Sequence, residues 1–169
     1  KADATKTGSV TVGRDKATLK STIQEYVNKF NSATALIHKR LSEQRIFQPD
    51  TDAQRRQGLL TGNALLSRIR RDLVSDASGA VSGLAGSLNQ LASIGISLSS
   101  NPSGELKVDQ TKLDKKLDSD FNGVFSLFFN DIDNDGTVDA GEDGVAVRVN
   151  RLLNEMLSTK LISFGGQSA

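Results

Sequence analysis

The sequence predicts a mainly helical α+β fold, in which long antiparallel helices pack with shorter helices and one β-hairpin. Two stretches, residues 19–41 and 145–161, carry apolar side chains at steps of three and four, which places them on one face of a helix. Between them, residues 94–108 alternate apolar with small or polar side chains, as half-buried strands do. A chain of 169 residues can bury one core, so we expect one main domain.

The two long helices are predicted over residues 16–44 and 144–161, running antiparallel in a bundle. Asp15 is a suitable N-cap for the first helix, since its carboxylate can accept from a free backbone amide of the first turn. The predicted buried positions of the first helix are Leu19, Ile23, Val27, Phe30, Thr34, Ile37 and Leu41, and those of the second are Val145, Val149, Leu152, Met156 and Leu161. Upstream, residues 9–12 read as a strand.

Shorter elements are predicted in the middle of the chain. Residues 59–76 carry leucines and an isoleucine at helical spacing, and the spacing of Leu84, Leu88 and Leu91 predicts the end of another helix. Residues 94–98 and 106–108 form the hairpin around a turn that contains Pro102 and Gly104. Two short helices follow. The first is capped by Asp109 and buries Leu113 and Leu117, and the second is amphipathic, with Phe121, Val124, Phe125 and Phe128 as its apolar residues.

The acidic segment 131–142 matches the spacing of an EF-hand calcium loop, D-x-D-x-D-G with a glutamate at the twelfth position. Calcium takes roughly six to eight oxygen ligands, and the glycine at position six permits the sharp turn that gathers the first carboxylates. The predicted ligands are Asp131, Asp133, Asp135, Thr137 through its backbone carbonyl, Asp139 through a water, and Glu142 through two oxygens. We therefore predict a structural Ca²⁺ site here, and an acidic helix-capping loop is the alternative interpretation.

The order of small motifs over residues 84–129 resembles the carboxy-terminal half of the bacterial flagellar filament cap protein family, also called hook-associated protein 2. The residues that carry the resemblance are Leu91, Ile94, Gly95, Ile96, Gly104, Leu106, Asp109, Lys112, Leu113, Val124, Leu127 and Phe128. The resemblance extends over nearly the whole chain. It includes residues 10–31, a strand that leads into a long helix, and the segment 58–73. Asn63 stands where the family often has an acidic cap, and the loop 131–142 is an insertion relative to the family.

The resemblance implies a domain organisation and a function. Residues 1–14 would contain the end strand of an outer β domain that is missing here, and residues 15–169 the inner helical domain with the hairpin 94–108 and the loop 131–142. The chain would be a structural cap subunit at the extracellular tip of the flagellum, exported by the flagellar type III system. Its copies would form an annular cap that promotes flagellin assembly, with hook–filament junction proteins as further contacts and adhesion as a further role. Because the chain starts at Lys1 without methionine, we expect a fragment, and we expect the family's terminal coiled coil to follow it.

Composition argues against several other classes. The chain has no cysteine, which excludes disulfides and thiol catalysis, and its net charge of +1 gives no global attraction to nucleic acid. The single histidine, His38, is interpreted as a partly exposed helix residue, because a catalytic triad or a zinc site needs partners that the sequence does not place near it. No apolar run approaches the roughly 20 residues of a membrane span. We expect no enzyme.

One alternative function stays open at the level of sequence. The chain would then be a calcium-binding extracellular adhesin or interaction module unrelated to flagella, organised around the loop 131–142. The uneven charge also suggests contacts between copies of the chain, because many arginines lie between residues 40 and 71 and the acidic residues cluster between 109 and 143.

Overall fold

The computed structural model describes residues 15–84, 86–130 and 143–164, with side chains described as far as Met156. The predicted strand at 9–12 and the predicted calcium loop at 131–142 lie outside the described residues. The fold is mainly helical α+β, as predicted. In chain order the elements are α1 (Lys16–Ser42), α2 (Asp52–Arg56), α3 (Ala64–Ser78), a 3₁₀ turn (Leu91–Ile94), β1 (Ile96–Leu98), β2 (Leu106–Val108), α4 (Gln110–Ser119), α5 (Phe121–Phe128) and α6 (Val145–Phe164).

The long helix α1 begins where its cap predicts, since the Thr18 amide donates to Asp15 Oδ1 at 2.9 Å. Its apolar seam is buried from Leu19 to Thr34, and the last two seam positions, Ile37 and Leu41, are half-buried. Side chains from α3, the hairpin, α4, α5 and α6 complete the same core. Each fully buried leucine, isoleucine or valine stabilises the fold by about 1.5–3 kcal/mol relative to exposure.

Helix α3 lies between the two long helices, and this corrects the predicted direction of α6. The Gly62 amide donates to the Leu41 carbonyl, so α3 starts where α1 ends and runs antiparallel to it. At the other end of α3, the Arg148 guanidinium, near the start of α6, donates to the carbonyls of Gly79 and Ala80. Therefore α6 is also antiparallel to α3 and runs in the same direction as α1. The prediction of an antiparallel α1–α6 pair is wrong, because both apolar seams pack against α3.

The hairpin forms with the predicted turn. Leu98 pairs with Leu106 and Ile96 with Val108, and the Gly104 amide closes the turn on the Asn101 carbonyl at 3.1 Å. Gly104 has φ +81°, and a Cβ there would lie 2.7 Å from Val74 of α3, so the turn can approach α3 only with glycine at this position.

The predicted helix over Leu84, Leu88 and Leu91 is not observed in the described part of this segment. Only the short 3₁₀ turn from Leu91 to Ile94 is helical, and it ends at Gly95 with φ +92°. Gly83 and Gly86 also have positive φ, which no residue of a right-handed helix adopts. The apolar spacing is right for a helix here, but the glycine backbone decides the conformation.

Candidate functional site

The ends of the predicted calcium loop are described, although its ligands, Asp131 to Glu142, are not. Just before the loop, the buried Asn130 side chain donates to the Ser82 carbonyl at 3.0 Å. Just after it, Gly144 lies so close to α5 that a Cβ there would overlap the Phe128 carbonyl group. Thus the two flanks of the acidic segment meet at the carboxyl end of α5, and a glycine is required where they meet.

The start of α6 is held by two charged contacts. Arg151 pairs with Asp143 at 2.5 Å, which ties the residue after the loop to the first turns of the helix. Arg148 binds the end of α3 with Nη1 to the Ala80 carbonyl at 2.8 Å and Nη2 to the Gly79 carbonyl at 2.9 Å. Such bonds satisfy carbonyls that follow a helix and join α6 to α3 at one point.

The carboxyl group of Asp76 lies near the end of α3, where it interacts with the positive charge of Arg148. Burial raises the pKa of Asp76, while the positive charge of Arg148 opposes this rise. The carboxylates of Asp72 and Glu155 also raise the pKa of Asp76, and the positive charge of Arg151 opposes this rise.

Tyr26 joins three helices in the core. Its ring packs edge-on against Phe128 of α5, with centroids 5.6 Å apart, and lies 6.2 Å from Phe30. Burial raises the pKa of the Tyr26 phenol, the positive charge of Arg148 lowers it, and the carboxylate of Asp76 raises it. Among the described residues, its hydroxyl has no hydrogen-bond partner.

The carboxylates of α4 neutralise the start of α1. Asp118 pairs with Lys16 at 2.7 Å and Asp114 with Lys20 at 2.5 Å, and all four side chains are substantially exposed. Exposed pairs of this kind contribute about 0–1 kcal/mol to stability. These aspartates therefore form a solvated face of α4 that pairs with lysines of α1.

Residues 43–62, which connect α1 to α3, form an ordered loop that we call the Phe47 loop. The Thr61 hydroxyl donates to the Glu43 carbonyl, and Gln57 Nε2 donates to the Gln44 carbonyl at 3.2 Å. Gly58 has φ +72°, and a Cβ there would lie 2.6 Å from the Arg45 amide nitrogen. The backbone near the start of the loop is therefore in contact with the backbone near its end. A capping box between Thr51 and Gln54 fixes the start of α2 within the loop.

The Phe47 loop exposes large apolar side chains beside its charged residues. Phe47 is 97% exposed, and Leu59 and Leu60 are 56% and 41% exposed. Arg45 and Arg56 have no ion-pair partner in the described part of the chain, whereas Arg55 pairs with Asp52. The sequence pattern did not indicate this surface. The capping box and the two glycines of the loop are the signals that could have indicated an ordered structure.

The described residues contain no group of three or more histidine, cysteine, aspartate or glutamate side chains that could hold a metal ion. His38 is half-buried on α1, as predicted, and no helix in the described ranges is long and apolar enough to cross a membrane. Two of the concave surfaces are apolar grooves. One of about 280 Å³ lies between α1 and α6 over Leu73 of α3, and another of about 240 Å³ lies between α3 and α6. These features suit packing against other polypeptide.

Comparison with known proteins shows which family this chain is similar to. The family described as "Flagellar hook-associated protein 2 C-terminus" matches residues 1–167. The B-type flagellar hook-associated protein 2 of Pseudomonas aeruginosa is 31% identical over 133 residues, which cover 76% of this chain and 26% of that protein. The flagellar hook-associated protein 2 of Thermotoga maritima is 27% identical over 167 residues, covering 94% of this chain and 25% of that protein. The chain thus spans about a quarter of the length of these curated relatives.

A solved structure has the same fold. The D1-D2-D3 domains of the flagellar cap protein FliD from Escherichia coli superpose with a TM-score of 0.65 at 27% sequence identity. The match covers 88% of this chain and 35% of that one. The likeness therefore includes the arrangement of the helical domain as well as its sequence.

Proposed function

The chain belongs to the family of flagellar hook-associated protein 2, in its carboxy-terminal region, and from this premise we propose that it is a structural subunit of the cap at the distal tip of the flagellar filament. Its copies form an annular oligomer beneath which exported flagellin subunits insert. Flagellin and the hook–filament junction proteins are its protein partners, and adhesion is a further role of the exposed cap. It works outside the cell and carries out no bond chemistry.

The observation that carries this proposal is the family match over residues 1–167, together with the likeness to a solved flagellar cap protein. The described surface supports it physically. Apolar grooves beside α6 and the exposed side chains of the Phe47 loop suit contacts with other protein chains. Assembly geometry, and not a catalytic group, is then what the fold contributes.

The proposal is tested by self-association and by binding to flagellin. Sedimentation velocity over a range of concentrations should reveal a discrete oligomer, and negative-stain images of that oligomer should show closed rings. Flagellin from the same source should co-sediment with it. A chain that stays monomeric at every concentration and binds no flagellin would contradict the cap assignment.

We also propose that residues 131–142 bind one Ca²⁺ ion through Asp131, Asp133, Asp135, Thr137, Asp139 and Glu142. The spacing of these oxygen donors supports the proposal, and so does the closure of the segment's flanks at Phe128 and Gly144. Calcium would neutralise carboxylates between α5 and α6 and so stabilise the connection of these helices. A single loop without a paired second loop should bind weakly, with a Kd near 10⁻⁴ M as an order-of-magnitude estimate.

Calorimetric titration of Ca²⁺ into chelator-treated protein tests the site. We expect binding heat and a raised Tm with calcium, both lost in the Asp131→Ala/Glu142→Ala variant, because a ligand that binds the folded state stabilises it. The Asp50→Ala/Asp52→Ala variant removes two exposed carboxylates from the Phe47 loop and should bind calcium as the unaltered chain does. Absence of heat and of stabilisation would leave the segment as an acidic capping loop. A monomeric chain whose partner binding needs calcium would favour the alternative of a calcium-dependent adhesin.

A further inference from the structure

A cavity of about 330 Å³ lies between the second half of α3 and the turn of the hairpin. On the side of the helix it is lined by Arg70, Arg71 and Ser75, and on the side of the turn by Asn101 and Pro102. No aspartate or glutamate among the described residues lines it. The charged groups of the lining are therefore all positive, unlike those of the groove between α3 and α6.

The guanidinium of Arg70 is held in position at this cavity. Its Nη1 donates to the Pro102 carbonyl, which joins α3 to the hairpin turn. The turn itself is fixed, because the Gly104 amide closes it on the Asn101 carbonyl at 3.1 Å and Gly104 packs closely against Val74 of α3. A donor that is already oriented loses little conformational entropy when it binds a ligand.

One edge of the Arg70 guanidinium is unused. While Nη1 bonds Pro102, the edge formed by Nε and Nη2 makes no hydrogen bond within the described part of the chain. Its Nε is buried, and so is the hydroxyl of Ser103, the residue after Pro102, which also lacks a partner there. Buried polar groups in proteins are nearly always paired, because an unpaired one loses its hydration without compensation. Two such groups beside one cavity indicate a missing hydrogen-bond partner.

The described carboxylates closest in sequence to the cavity lining are bound elsewhere. Glu105, which follows the hairpin turn, accepts from Asn101 Nδ2 at 3.1 Å and does not line the cavity. Asp72 of α3 pairs with Arg68 at 3.5 Å and lines the other groove, between α3 and α6. The partner of the Arg70 edge must therefore come from outside these groups.

The shape of the unused edge determines which ligand it takes. Its two N–H groups are parallel, and a carboxylate accepts such a pair through its two oxygens. Arg71 adds a second positive charge to the lining and has no ion-pair partner among the described residues. The rest of the lining includes the apolar side chains of Val74 and Pro102, which suit an apolar stem next to the carboxylate.

We propose that the cavity between α3 and the hairpin turn binds a carboxylate on a short apolar stem. The Arg70 guanidinium donates two hydrogen bonds to it, and Arg71 contributes a second positive charge. A glutamate side chain of another protein has this chemistry, and so does a small aliphatic acid. The site is formed by one chain alone, so it does not depend on the proposed assembly of the cap.

Titration followed by nuclear magnetic resonance tests the site at constant ionic strength. The probes are butyrate, the α-methylamide of N-acetylglutamate, and inorganic phosphate, and the signals are the Arg70 Nε–H and the amide of Gly104, which lines the cavity. We expect a saturable shift with the carboxylates and none with butyramide, the neutral analogue of butyrate. Binding of either carboxylate supports the site, and the tighter one identifies the source of the ligand. Tighter binding of phosphate, or no saturable shift, would overturn the proposal.

Variants test which arginine binds the carboxylate. Arg70→Gln should weaken binding at least tenfold, followed at the Gly104 amide, because it removes the two-bond donor. Arg71→Gln should weaken binding by a smaller factor, because it removes charge alone. Arg68→Gln is the matched control, since Arg68 is exposed on the same helix and does not line the cavity. Thermal melts confirm that each variant is folded, and equal affinities of Arg70→Gln and Arg68→Gln would overturn the assignment.

Discussion

At the scale of single residues, the buried phenol of Tyr26 is the most unusual group in the described core. It lies where α1, α5 and α6 meet, with the charges of Arg148 and Asp76 nearby. Its ring fills the core, but its hydroxyl has no hydrogen-bond partner among the described residues. A buried hydroxyl without a partner costs free energy that an apolar ring of the same shape would not.

Tyr26→Phe should therefore stabilise the chain. Removing an unsatisfied hydroxyl should raise the free energy of unfolding by about 1 kcal/mol, measured by urea denaturation. Tyr26→Ala, which also removes the ring, should lower it by about 3–5 kcal/mol. A clear loss of stability in Tyr26→Phe would mean that the hydroxyl makes a stabilising hydrogen bond.

Tyr26 should also make the folded chain less stable at high pH. Burial raises the pKa of Tyr26 above its usual value of 10.0, so the folded state keeps the proton longer than the unfolded state does. Stability should then fall as pH rises above about 10, where only the unfolded phenol ionises. Tyr26 is the only tyrosine, so the ultraviolet absorbance of tyrosinate reports it alone. Ionisation near pH 10 in the folded chain would contradict its burial, and Tyr26→Phe should remove this part of the pH dependence.

At the scale of elements, Asn31 connects the long helix to the hairpin. Its Nδ2 donates to the Leu106 carbonyl at 2.9 Å, and its Oδ1 accepts from the Leu106 amide at 2.7 Å. The side chain thus pairs with both backbone groups of Leu106, as a neighbouring strand would. The outer edge of β2 is closed by α1 at this point.

Asn31→Ala should expose this edge. Leaving two backbone groups unpaired at a part-buried position should lower the free energy of unfolding by about 1–3 kcal/mol. Hydrogen exchange of the Leu106 amide should accelerate more than that of the Val27 amide inside α1. Asn28→Ala, an exposed substitution one turn earlier, is the control and should change neither. Unchanged exchange at Leu106 in Asn31→Ala would contradict the pairing.

The elements differ in how far their sequence predicts them. The caps at Asp15, Asn63 and Asp109 are local signals, and each begins a helix as such residues usually do. The helix predicted around Leu84 and Leu88 does not form. Gly83 and Gly86 adopt positive φ angles there, although the apolar spacing is that of a helix. The bonds of Asn31 and Arg148 depend on residues 68–75 positions away in sequence, and no local pattern indicates them.

At the scale of the whole molecule, α3 organises the described fold. Both long helices pack against it, so they run in the same direction with an apolar groove between them. Sequence periodicity predicts which face of each helix is buried but not which helix it meets, and this explains why the direction of α6 was predicted wrongly. The family was predictable from the order of motifs over residues 84–129. The exposure of Phe47 was not, because it depends on how the loop folds.

A subunit of the filament cap must bind at one end of the flagellar filament. Gold-labelled chain is incubated with sheared flagellar filaments from the same source and imaged by electron microscopy. A cap subunit should label one end of each filament and leave the sides and the other end bare. Label along the filament sides, or no label at all from a chain whose melt shows that it is folded, would contradict its assignment as a cap subunit.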